Sequence, residues 1–111
     1  MRAPAVDLAG ATGLGEYAAL LHDAAVLVSG DTGAAHLAAA TGTRSVTIFM
    51  AGDPVRWAHA GPRHRTARVA VGCSPCPHLH CPHDGRLHLR CGHELPVAAV
   101  LAEAEAVLAA P

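Results

Sequence analysis

Val28-Ser29-Gly30-Asp31-Thr32-Gly33-Ala34-Ala35-His36-Leu37-Ala38-Ala39-Ala40-Thr41-Gly42 is the stretch that decides how this chain reads. The apolar run that leads into it, Ala24 to Val28, has the character of a buried strand. Small residues then turn the chain into an Ala-rich helix. A strand that ends in Ser-Gly-Asp-Thr-Gly and feeds a helix is how open α/β sheets offer backbone N–H groups to an anion. Glycine at 30 and 33 suits a bend and a close ligand. Asp31 and Thr32 are residue types that cap helix starts. Thr32 and His36, four apart, share a helix face. An ordinary capped turn with a helical histidine fits the same letters, so the stretch alone marks a candidate ligand site and no more.

The rest of the chain extends the pattern into an α/β fold with a parallel sheet. Leu14, Ala18, Leu21 and Ala25 recur at helical spacing, which predicts a helix over 14–23. Residues 25–29 follow as the first strand and 32–40 as the second helix, with Gly42 placed to stop it. Ser45-Val46-Thr47-Ile48-Phe49 is β-branched and reads as a second, parallel strand. Asp53-Pro54 opens a short helix through Trp57, with aspartate as cap and proline first. Arg68-Val69-Ala70-Val71 is the expected third strand. Val97, Val100, Leu101, Ala104, Val107 and Leu108 mark an amphipathic closing helix over 96–109.

Composition narrows the function classes. One domain over 1–111 is expected, with a single core built from Leu, Val and Ala, because only one Phe, one Trp and one Tyr are present. All eight basic residues are arginine, against nine acidic ones, and a net charge of −1 argues against nucleic acid as partner. No segment reaches the roughly 18 apolar residues of a membrane span, and Met1-Arg2-Ala3-Pro4 lacks the apolar core of a signal peptide. A cytoplasmic location is expected, where thiols stay reduced.

Residues 72–92 differ in kind, a Cys-rich loop of turns, prolines and histidines. Cys73, Cys76, Cys81 and Cys91 are spaced C-x2-C-x4-C-x9-C, among His78, His80, His83, His88 and His93. Four thiols with one C-x2-C pair are a zinc-like arrangement, although a common ribbon uses two such pairs. Free thiols packed as small hydrophobes, or a redox-sensitive loop, are the alternatives.

Asp7-Leu8-Ala9-Gly10-Ala11-Thr12-Gly13-Leu14-Gly15-Glu16 and Val26 to Ala40, with Asp-Thr-Gly-x-x-His inside the second stretch, resemble the C-terminal half of the family 9 glycosyltransferases, the ADP-heptose:lipopolysaccharide heptosyltransferases. Phe49 to Pro54 and the cysteine pattern follow in the family's order. The resemblance implies a Rossmann-like sheet, one half of a GT-B glycosyltransferase. It also implies a nucleotide-diphosphate sugar such as ADP-heptose as donor and a lipopolysaccharide-type acceptor. Asp31, Thr32, Gly33 and His36 match the family's donor-binding element: Thr32 and Gly33 for backbone contacts, Asp31 and His36 for side-chain contacts. No cofactor and no metal belong to that site.

The family's catalytic base and acceptor surface lie in an N-terminal half, so a separate half is an expected partner, and peripheral attachment at the inner membrane is expected with it. The chain departs from the family at Gly30, where the family has Asn. Met50-Ala51-Gly52-Asp53 stands where the family reads Gly-x-Thr-x, so Met50 is expected to crowd the ligand loop. Two rival readings are a small zinc-stabilised binding module and an inactive glycosyltransferase fragment.

Overall fold

A computed structural model describes residues 2–111. Its elements are α1 (Leu14–Asp23), β1 (Leu27–Gly30), α2 (Gly33–Thr41), β2 (Ser45–Ile48), α3 (Pro54–Trp57), β3 (His64–Ala67), α4 (Arg90–His93) and α5 (Val97–Ala109). The three strands form one parallel sheet in the order β1-β2-β3, with Val28 opposite Val46 and Val46 opposite Arg65. The fold is thus the expected Rossmann-like α/β arrangement, with α2 and α5 packed against the sheet.

Local chemistry sets the ends of the helices. Gly13 donates its N–H to Glu16 Oε1 at 3.0 Å, the half of a capping box that needs no side chain at the cap. Gly42 ends α2 in the left-handed region, at φ 74°, as a helix stop requires. Asp53 caps α3 by accepting the Val55 N–H at 3.0 Å, with Pro54 at the first helical position.

Alternation along β2 divides the sheet into two faces. Val46, fully buried, packs with Ala67 and Val107, and Ile48, Val100 and Ala104 close around them. This apolar side carries α5. Ser45 and Thr47 point the other way and are also buried. On that side Thr43 ties three elements together. Its hydroxyl donates to the Leu21 carbonyl at 2.6 Å and meets the Thr41 hydroxyl at 2.7 Å.

Two expectations need correction. The third strand is His64–Ala67, not 68–71. The β2 ladder ends where Phe49 donates to the Ala67 carbonyl at 3.0 Å, so residues beyond 67 have no strand to pair with. Polar letters hid this strand: His64 faces Ser45, and Arg65 pairs with Glu103 of α5. The first strand begins at Leu27 and is half-exposed, not buried, because α5 lies over β2 and β3 and leaves Val28 45% exposed at the sheet edge.

Candidate functional site

The carboxyl ends of β1 and β2 open side by side, the place where parallel α/β sheets take ligands. A cleft of about 470 Å³ lies there, lined by Gly30, Asp31, Ile48, Met50, Ala51 and Gly52. Asp31 is exposed and its carboxylate makes no hydrogen bond among the described residues. It reaches across to the loop after β2, so close that a Cβ on Gly52 would stand 2.9 Å from Asp31 Oδ2 and 3.3 Å from Phe49 Cδ1. A side chain at 52 would press the carboxylate back from this approach.

Thr32 occupies the cap position of α2 with extended backbone, but its side chain makes no capping hydrogen bond. The expected capping by Thr32 or Asp31 is therefore absent among the described residues; the Gly33 and Ala34 amides keep their donors, while the Ala35 N–H is taken by the Thr32 carbonyl at 3.1 Å. Neither Gly30 nor Gly33 adopts a left-handed φ, so the bend itself does not demand glycine. At Gly33 nothing lies within 4 Å of where a Cβ would stand, which leaves the helix start open to a ligand.

His36 is placed differently from its neighbours in the motif. Its Nδ1 lies 2.9 Å from His59 Nε2, the two rings meeting edge to face at 78° with centroids 4.9 Å apart. His59 in turn stands 5.8 Å, centroid to centroid, from His64, whose Nδ1 meets the buried Ser45 hydroxyl at 2.9 Å. Burial lowers the pKa of His64 below its ordinary value, and His59 and Arg63 nearby lower it further. So the structure brings Asp31 to one wall of the rim cleft, Thr32 and Gly33 to the helix start beside it, and His36 onto a row of histidines.

The sequence reading overlooked Gly52 and His59. An Ala-Gly-Asp-Pro turn gave a faint signal for the first. Nothing in the letters linked His59 to a residue 23 positions earlier.

Met50 lines the cleft, but the end of its side chain extends to α4, where a Cβ on Gly92 would collide with Met50 Cε. The cysteine segment braces the same loop. Ser74 Oγ donates to the Met50 carbonyl at 2.6 Å, and the Cys76 N–H to the Ala51 carbonyl at 2.8 Å. All four cysteines are free, half-buried, and line one cavity of about 90 Å³. Among the described residues no three His, Cys, Asp or Glu side chains stand in an arrangement that would hold a metal ion. Nor is any described helix long and apolar enough to cross a membrane.

The parallel sheet, with the uncapped start of α2 beside the Asp31 carboxylate at its rim, is a Rossmann-like α/β unit. The family model for glycosyltransferase family 9 (heptosyltransferase) matches residues 1–86 of the 111, and the chain belongs to that family. No curated protein and no solved structure matches it.

Proposed function

We propose that this glycosyltransferase domain is a donor-binding half, which holds a nucleotide-diphosphate sugar of the ADP-heptose type for transfer to a lipopolysaccharide-type acceptor. The observation that carries the reading is the shared rim: the open start of α2 stands beside a carboxylate that Gly52 admits to the cleft. The diphosphate takes the amides at Thr32 and Gly33 and the positive end of the helix dipole. A carboxylate repels phosphate, so Asp31 accepts sugar hydroxyls instead. His36 donates to the diphosphate from its outer nitrogen.

Transfer also needs a base for the acceptor hydroxyl and an acceptor held in line with the anomeric carbon. Asp31, the carboxylate in the cleft lining, is engaged by the donor sugar on this reading, so a second half facing this rim provides both. The protein then works in the cytoplasm, peripheral at the inner membrane. Titration with ADP and an ADP-sugar, followed by backbone amide shifts, tests the reading. Movement of Gly33 and His36 is expected, and their constancy at millimolar ligand refutes it.

A second reading attaches to the cysteine cavity, where four thiols share one space and backbone N–H groups already reach two of the sulfurs. Those contacts are His78 N–H to Cys76 Sγ at 3.5 Å and Leu89 N–H to Cys81 Sγ at 3.3 Å. On this reading the thiols turn inward around one structural zinc that stiffens the brace under Met50 and Ala51. Protein purified without a histidine tag then carries about one zinc per chain. A content far below that, with unchanged thermal stability after a chelator, refutes it.

A further inference from the structure

We propose that His59 is a positioning residue for the donor site, holding the His36 ring by donating Nε2–H to His36 Nδ1 so that the Nε2–H of His36 faces the ligand. The inference rests on the donor-binding reading above and adds to it a residue outside the motif. Two ring nitrogens 2.9 Å apart form a hydrogen bond only if one carries a proton and the other does not. A neutral imidazole has a single N–H. For His36 to offer it to a diphosphate, its Nδ1 must accept, which assigns the donor role to His59. His36 is exposed and His59 half-buried, so the inner ring is the fixed partner and the outer one the ring it holds.

The groups behind His59 favour the same assignment. His64 is anchored by the buried Ser45 hydroxyl, and its burial favours the neutral ring. A neutral His64 spares His59 a cation whose ring centre is 5.8 Å from its own. The edge-to-face packing of His36 on His59 restricts the rotamer of His36 as well as its tautomer. An exposed histidine without such a partner samples several rotamers before a ligand arrives, and ordering them weakens binding.

The test combines ring-nitrogen NMR with ADP titration on the intact chain. Without ligand, near pH 7.5, the wild type should show His59 Nε2 protonated, His36 Nδ1 unprotonated, and scalar coupling across the N–H···N bond. His59→Ala should weaken ADP binding about three- to tenfold, the range of one neutral hydrogen bond. His59→Gln, whose amide N–H can still donate, should stay within about twofold of wild type. A merely structural role predicts neither the rescue nor the coupling. Absence of the coupling overturns the proposal, as does equal ADP affinity in wild type and His59→Ala. Coupling without any ADP binding by the wild type supports the positioning and instead removes the donor-binding reading.

Discussion

Gly52→Ala is the sharpest probe of the rim, because the structure fixes what the added methyl meets. The new Cβ would stand 2.9 Å from Asp31 Oδ2, whereas ordinary contact begins near 3.4 Å, so the carboxylate must retreat by about half an ångström. Asp31 is exposed and moves by a small rotation, at little cost. Phe49 is 1% exposed and cannot move freely, but at 3.3 Å its ring needs to give by only about a tenth of an ångström. Gly52 has no left-handed φ, so alanine fits the backbone and lowers the entropy of the unfolded chain by about 0.4–1 kcal/mol equivalent. These effects oppose each other. Net stability should change by less than about 1 kcal/mol, a shift of a few degrees in Tm.

Binding should respond more than stability does. A hydrogen bond from a sugar hydroxyl to a carboxylate contributes about 1.5–3 kcal/mol, and a half-ångström displacement forfeits part of it. An ADP-sugar should therefore bind about three- to tenfold more weakly to Gly52→Ala, while ADP itself, which lacks the sugar, should change less than about twofold. Calorimetric titration of both ligands, with thermal unfolding of the same samples, separates the two effects. Unchanged ADP-sugar affinity at preserved Tm would show that Asp31 does not touch the sugar. Equal losses for both ligands would place Asp31 against the nucleotide instead.

Two further predictions concern the polar side of the sheet. Thr43→Val should cost about 1–3 kcal/mol in denaturant unfolding, because it removes the buried hydroxyl that donates to Leu21; a loss below half a kilocalorie, about the error of the measurement, would show that water replaces it. His64 should make folding acid-sensitive: with its folded value below the unfolded 6.5, the unfolded chain takes the proton first, so stability falls as pH drops through 6.5 and levels off below the folded value. Chemical denaturation of wild type and His64→Gln across that window checks it, and a wild-type slope no steeper than the variant's refutes it.

Much of this architecture was legible because local signals and tertiary packing agree. The helix over 14–23, the stop at Gly42 and the Asp53-Pro54 helix start each rest on chemistry within a few residues of the chain. The βαβ order around Asp31 was legible for the same reason. The third strand was not. Apolar letters pointed to Val69 and Val71, but an edge strand is selected by what its neighbour offers, and β2 offers Ser45 and Thr47 on one face. His64 and Thr66 answer those polar residues in register, so the strand lies four positions earlier than hydropathy suggests.

The site divides along the same line. Asp31, Thr32 and Gly33 announce themselves because a strand-to-helix turn is a local motif, whereas Gly52 and His59 matter only through what the fold brings beside them. Gly52 meets Asp31 because the carboxylate reaches across to it, and His59 meets His36 because a loop returns it to α2. The cysteine segment adds a third long-range contribution. Ser74 and Cys76 grip the carbonyls of Met50 and Ala51, the residues that form the far wall of the cleft, so a displacement of residues 74–76 reaches the rim through two hydrogen bonds. The wall of the rim cleft is therefore braced by Ser74 and Cys76 as well as built from the strand-to-helix turn that first draws attention to it.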